Sequence, residues 1–453
     1  MRHFDLVIIG TGSGNSIVSP EFDDWDTAIV ERGTFGGTCL NVGCIPTKMY
    51  VYAADVAETV RRASRYGIDA TLDKVRWTDI RDRVFGRIDP IAEGGERYRT
   101  HDNDNVTVYK GQCRFVAHKR LDTGTGETIG AERFVIAAGG RPVVPPEVAG
   151  ADVPFHTSDT IMRIDSLPQR LVILGSGYIA SEFAHVFSAL GTHVSVVARG
   201  PALLRYKDET VSQRFTELAR RQWELHTGQQ PERVDGGRDG IRVLLPDGTA
   251  VEGDLLLVAV GRQPNGDLLD LPATGVTVHG DGRIVVDEHQ RTVVDGIYAL
   301  GDISSPYQLK HVANHEARVV QHNLLHPDDP IRTDHRFVPF AVFTDPPIAA
   351  VGLTEAQCKV NGLDYATYVQ EYADVAYGWA MEDRTGFCKV IAERGTGRLL
   401  GAHVMGPQAS TVIQPLIQAM SFGLGVREMA RNQYWIHPSL PEVVENALLG
   451  LTL

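Results

Sequence analysis

One pattern occurs twice in this chain and limits its fold more than any other feature: an apolar run that stops at a glycine-rich turn. Residues 5–14 read D-L-V-I-I-G-T-G-S-G, and residues 171–180 read L-V-I-L-G-S-G-Y-I-A. After each turn a helical stretch is expected, then a further strand, T-A-I-V-E at 27–31 and H-V-S-V-V-A-R at 193–199. Glycines there let the backbone approach a pyrophosphate, and the N–H groups of the following helix face it. Two such units predict an α/β chain with two Rossmann-like dinucleotide-binding domains. A second echo, F-V-I-A-A-G-G-R-P at 134–142 and L-L-L-V-A-V-G-R-Q-P-N at 255–265, repeats the apolar strand and its glycine turn.

From about residue 335 the pattern changes to short alternating runs, with a long amphipathic helix expected near 409–422. This predicts a C-terminal α+β domain. The expected boundaries are 1–150 for the first part of the first dinucleotide domain, 151–265 for the second, 266–332 for a return to the first, and 333–453 for the last. A length of 453 residues suits two or three cores rather than one. The formal charge of −13 argues against nucleic acid or an anionic membrane as partner, because phosphate-rich surfaces need a basic footprint. No run of about 18 apolar residues exists to span a bilayer. The N-terminal apolar run is too short for a signal peptide and reads as a first strand, so a cytoplasmic protein is expected.

The chemistry is concentrated at a few positions. In the first turn Gly10, Gly12 and Gly14 flank Thr11 and Ser13, and Glu31 ends the next strand, where a carboxylate would accept hydrogen bonds from a ribose. Asn15 stands at the third fingerprint position in place of Gly or Ala. The second turn has Gly175, Gly177 and Ala180 in register, but its strand ends Ala198-Arg199, with Arg205 following and no carboxylate. Guanidinium groups there would bind a 2′-phosphate that an acidic residue would repel, so the second site is read as NADPH-selective.

Between the two turns lies G-G-T-C-L-N-V-G-C-I-P-T-K at 36–48. Of the five cysteines only Cys39 and Cys44 are close, and in a reducing compartment a close pair is more often catalytic than structural. Gly43 and Pro46 make the necessary curl plausible, and a helix is expected over 46–64, opening at Pro46. Cys44 at its start would favour a thiolate, and its neighbour could exchange with a disulfide substrate. Asp302 follows a strand end and would place a carboxylate near a flavin's ribityl chain, although alone it is only a turn residue. Lys48 and Glu182 are candidate buried charges, each needing a partner. His437-Pro438 with Glu442 offers the acid–base group that thiol exchange requires. His311, His315 and His322 recur at roughly helical spacing without a ligand set around them, so no metal site is expected.

In this order, these motifs resemble the dimeric flavoprotein disulfide reductases, whose members act on glutathione disulfide, trypanothione, mycothione, lipoamide or mercuric ion. The resemblance runs along essentially the whole chain. It implies that FAD is held by Gly10, Ser13, Gly14, Glu31, Thr38, Gly139 and Asp302, and NADPH by Gly175, Gly177, Arg199, Arg205 and Gly261. It implies that Cys44 lies next to the flavin, that Cys39 attacks substrate, and that Lys48 pairs with Glu182. Tyr178 would cover the nicotinamide pocket. His437 and Glu442 would come from the other subunit of a homodimer whose interface is the C-terminal third. Lipoamide dehydrogenases share C-I-P-x-K but prefer NAD, with an acidic residue at the Ala198 position, whereas glutathione reductases match Arg199 and Arg205. Mercuric reductases add a C-terminal cysteine pair that the tail L-L-G-L-T-L lacks. Segments 33–49, 311–325 and 374–383 are most similar to members that reduce mycothione. A flavoprotein without this catalysis would be expected to lose Cys39, Cys44 or His437, and a simple flavin oxidase to lack the cysteine pair.

Overall fold

The computed structural model describes residues 1–237 and 240–453. Its first sheet is built on the first apolar run. Arg2–Ile9 pairs in parallel with Thr27–Glu31 on one side and with Thr128–Ile136 on the other. Val106–Lys110 extends the sheet beyond Thr27–Glu31, and a short antiparallel pair, Arg114–Ala117 and Arg120–Asp122, completes the other edge. Leu6, Val7 and Ile8 are all fully buried, as parallel strands covered on both faces require, which is why the run is continuous rather than alternating. The chain returns to this sheet much later, when Ile297–Ala299 pairs with Thr128–Ile136.

The second sheet is wholly parallel, in the order Glu224–Thr227, His193–Ala198, Arg170–Leu174, Leu255–Val258 and His156–Thr157. The echoed segments meet each other: Gly140–Pro142 pairs antiparallel with Arg262–Pro264 and ties the two units together. The last unit is a five-stranded antiparallel sheet from Phe340–Val342 to Tyr365–Glu371, covered by helices whose Val443, Val444 and Ala447 are fully buried.

Two helices differ from expectation. After the second glycine turn the helix Tyr178–Ala189 forms as read, but after the first only a three-residue turn, Gly14–Ser16, is present. Pro20 is the reason. It drives Ser19 into extended backbone (φ −110°, ψ 174°), so a helix entered at Gly14 has room for one turn. The helix expected at 409–422 is two, Ala409–Val412 and Gln414–Phe422, broken where Pro415 lacks the N–H that would continue the ladder. Among the described residues no helix is long and apolar enough to cross a membrane.

Candidate active site

The cysteine segment forms two helical pieces, Gly37–Asn41 and Cys44–Arg61, folded back at Val42-Gly43. Only glycine fits that bend, since a Cβ at Gly43 would lie 2.8 Å from the Thr38 carbonyl oxygen. The helix thus begins at Cys44, two residues before Pro46, whose missing N–H falls among the unpaired donors of the first turn. Both cysteines are thiols here, and the Cys39 S–H lies close enough to hydrogen-bond the Cys44 sulfur. That bond pushes Cys39 far above the ordinary thiol range and lowers Cys44 to about 7. The Lys48 charge, one turn along the same helix, lowers Cys44 further against the opposing effect of burial. The two sulfurs therefore differ in acidity, and Cys44 is the more acidic of the pair.

Lys48 Nζ donates to Glu182 Oε2 at 2.6 Å, across from one helix to another, and lies 4.5 Å from the Phe343 ring centroid. Glu182 is 5% exposed, and its other oxygen accepts from the Phe343 N–H at 2.9 Å, so the buried carboxylate is satisfied on both sides. Tyr178 opens the helix that carries Glu182, and the charges of Arg262, Asp302, Glu182 and Cys44 all act on its hydroxyl.

Gly10, Gly12, Glu31, Thr38 and Gly139 line one cleft beyond the carboxyl ends of the first sheet. Glu31 is occupied within the protein: it accepts from the Thr11 N–H (2.9 Å), the Thr11 hydroxyl (2.7 Å) and the Gly33 N–H (2.7 Å), and so braces the turn. Ser13 donates to Asn314 Oδ1 and accepts from Lys310 Nζ, while Gly14 begins the short turn. Asp302 sits against Gly140, and burial raises its carboxyl despite the nearby charges of Arg262 and Lys310. In the second unit Arg199 and Arg205 are exposed at the end of His193–Ala198. Neither forms an ion pair among the described residues, and Arg205 lies over the Tyr206 ring, 4.5 Å from its centroid. Ala180 is buried, and Gly261 has φ +152°. His437 Nδ1 lies 2.5 Å from Glu442 Oε1, while the Ser439 N–H donates to the other oxygen. His437 is 71% exposed, in a stretch with Tyr434 and Ile436 also outward, and it forms no hydrogen bond to Cys39 or Cys44 among the described residues. His311 and His322 bond main-chain carbonyls, and His315 accepts a main-chain N–H. Lys310 belongs to no motif, and Thr11 and Arg262 lie within quoted motifs without an assigned role; all three become visible only through these contacts.

The glycines test whether dinucleotides fit. Gly10 and Gly175 have φ of +102° and +138°, and a Cβ on either would strike a main-chain oxygen of the facing strand's end, Ala137 or Ala259. Their requirement is internal. Gly12 and Gly177 differ: neither has positive φ, and a Cβ on them meets no protein atom closer than 4.0 Å. Nothing in the fold demands glycine there, whereas a pyrophosphate lying on the turn does. Both turns fit dinucleotides, and this chain uses FAD and NADPH.

Residues 4–317 match the model for pyridine nucleotide-disulphide oxidoreductases, and residues 338–448 match that family's dimerisation domain. The chain belongs to this family of flavoprotein disulfide reductases, and its match to the dimerisation domain fits a homodimer. Among particular relatives it is similar to the mycothione reductase of Mycobacterium tuberculosis, at 61% identity over all of both chains. The glutathione reductase of Burkholderia cepacia is 33% identical, covering 97% of each. Among solved structures it resembles the HOCl-induced flavoprotein disulfide reductase RclA from Escherichia coli, with a TM-score of 0.87 at 27% identity, over 98% of this chain and 99% of that one.

Proposed function

We propose that this chain reduces mycothione to two thiols at the expense of NADPH, through Cys39 and Cys44. The observation that carries the chemistry is the placing of Cys39 beside Cys44 at a helix start, one turn from the Lys48–Glu182 ion pair. The choice of substrate rests on the full-length 61% identity to the mycobacterial enzyme. FAD, held by Gly10, Gly12, Ser13, Gly14, Thr38, Gly139 and Asp302, would relay two electrons from NADPH to the Cys39–Cys44 disulfide.

The rest is work for side chains. Cys39, pushed up by its bond to Cys44, attacks only as its proton leaves. It then breaks the substrate S–S bond, forms a mixed disulfide and releases the first thiolate. The Cys44 thiolate attacks the Cys39 sulfur, the Cys39–Cys44 bond closes, and the second thiolate departs. Two electrons have then passed to the substrate. His437 from the other subunit takes the Cys39 proton and returns one to a leaving thiolate, while Glu442 holds Nδ1 so that Nε2 faces the sulfurs. Outward exposure of His437 beside Tyr434 and Ile436 supports a site completed by the partner. Lys48 keeps Cys44 ionised, and Glu182 holds Lys48. Tyr178 covers the nicotinamide pocket, and Arg199 and Arg205 grip the 2′-phosphate. A reducing cytoplasm suits a catalytic cysteine pair.

The deciding experiment is NADPH oxidation with mycothione, glutathione disulfide, lipoamide and mercuric ion side by side. Mycothione should give the highest kcat/KM. Faster turnover of lipoamide with NADH would overturn the reading.

A further inference from the structure

The two glycine turns are alike up to their third glycine position and then diverge in what they offer an anion. The second runs into twelve residues of helix, Tyr178–Ala189, whose aligned N–H groups and dipole face a phosphate. The first runs into the single turn Gly14–Ser16, which has little dipole to offer. A dinucleotide bound there brings the same two negative charges to a turn that lacks the usual compensation.

A cation stands at that turn. Lys310 Nζ donates to Ser13 Oγ at 2.8 Å, reaching from the first residue of the helix Lys310–Leu325. Asn314, one helical turn further on, accepts from the same hydroxyl at 2.9 Å, which orients Ser13 between them. Lys310 forms no ion pair among the described residues, although its charge acts on both Asp302 and Cys39. It therefore stands half-buried at the turn with its charge unspent. Arg99, 6% exposed, braces the shortened turn from behind: it donates to Asn15 Oδ1 and to the carbonyls of Asn15 and Val18, at 2.8–2.9 Å. This is the physical use of Asn15, whose side chain anchors the arginine where a longer helix would otherwise hold the loop.

We infer that Lys310 is the countercharge for the FAD pyrophosphate in this chain, replacing the missing first helix by a side chain brought from a distant one. The inference rests on the first glycine turn being the FAD site. Its ammonium, pre-placed by Ser13, contacts a phosphate oxygen when FAD is bound, and Arg99 keeps the turn in the shape that presents Ser13.

The test uses the holoenzyme and reads flavin retention rather than turnover. Lys310→Met keeps the stem and removes the charge, and Lys310→Arg keeps the charge. FAD release, followed by flavin fluorescence after dilution, should be about ten-fold faster or more for Lys310→Met, in line with loss of a charge-assisted contact, and close to wild type for Lys310→Arg. Added salt should speed release from the wild type more than from Lys310→Met. The thermal midpoint of Lys310→Met should fall at stoichiometric FAD and recover in excess FAD, because the lost stability is that of ligand binding. Unchanged release, or a midpoint that excess FAD does not restore, overturns the inference. Gly12→Val separates this from the underlying site: if that variant loses flavin while Lys310→Met keeps it, the turn binds FAD and only the role of Lys310 is wrong. If Gly12→Val retains flavin, the site assignment itself falls.

Discussion

Cys39 and Cys44 carry the same side chain and have opposite acidities. A hydrogen bond from one to the other, together with Lys48 one turn away, separates them. Because the folded Cys44 lies at about 7, below the ordinary thiol value, its charged form is retained above that pH and lost as pH falls through it. The two-electron-reduced enzyme should accordingly show a long-wavelength absorbance band, from thiolate beside flavin, that fades on acidification through about pH 7. Cys39→Ser should keep the band without reduction, and Cys44→Ser should abolish it; a band surviving in the Cys44 variant refutes the assignment. Arg199 and Arg205 make a second residue-scale case. Both are exposed and free of ion pairs among the described residues, so a 2′-phosphate has no internal carboxylate to displace. Each contact is worth about 1.5–3 kcal/mol, so the double alanine variant should lose about ten-fold or more in preference for NADPH over NADH per arginine. Steady-state kinetics with both nucleotides measure it, and equal use of the two by the unmodified enzyme sinks the claim.

At the scale of elements, the two glycine turns show that one motif can open into different structures. Pro20 cuts the first helix to one turn, while the second has no proline and continues to Ala189. Gly177, the N-cap of that helix, has extended backbone and open space where a Cβ would go. Gly177→Val is therefore expected to leave the unfolding midpoint and FAD content unchanged while weakening NADPH binding by about ten-fold or more, since a side chain would stand where the pyrophosphate rests. Titration of the variant with NADPH decides it. A parallel loss of stability would mean that the glycine serves the fold. The helix Glu442–Leu449 is read in the same way: it begins at the carboxylate that holds His437. His437→Ala should leave reduction by NADPH nearly intact and slow reoxidation of the dithiol by about a hundred-fold or more, with Glu442→Gln milder. Stopped-flow traces of the two half-reactions separate these, and unchanged reoxidation ends the catalytic role.

At the scale of the whole molecule, a buried ionic knot that no motif announces joins the second dinucleotide unit to the C-terminal domain. Asp208 caps the helix Glu209–Gln222 through the Thr210 N–H, accepts from Lys389 Nζ at 2.9 Å, and takes the Glu355 N–H on its other oxygen. Lys389 is 2% exposed and also donates to Glu355 at 2.8 Å, so the nucleotide-binding unit and the C-terminal sheet share these charges. Burial pushes the Asp208 carboxyl up, but His403, Lys389 and the Glu355 N–H outweigh it and leave it below the usual range. Its contribution to stability is therefore complete above about pH 4 and lost as pH falls through the lower folded value. Lys389→Met should destabilise by about 3–5 kcal/mol by leaving Asp208 unpaired. Asp208→Asn should flatten the acid limb of a plot of thermal midpoint against pH; an unchanged limb would place the acid sensitivity elsewhere. Between subunits, mixing Cys39→Ser with His437→Ala chains should recover activity in hybrid dimers, and no recovery would confine each site to one chain.

The fold class and most of the site were legible in the sequence because they rest on local rules. Continuous apolar runs ending in glycines specify parallel strands, and cysteines five apart can meet only if the chain curls, which Gly43 permits ahead of a helix opened near Pro46. The sequence alone also excluded a carboxylate at the end of His193–Ala198. Local rules could not show which distant charges arrive at the same place. The pairing of Lys48 with Glu182 follows from the family resemblance and not from a local rule, Lys389 has no signal at all, and Lys310 lies far along the chain from the Ser13 it contacts. Asn15 departs from the glycine-turn pattern, and only the fold brings Arg99 onto it. Such pairings depend on how whole sheets pack, because the energy of a buried charge is set by its neighbours in space and not by its neighbours in sequence.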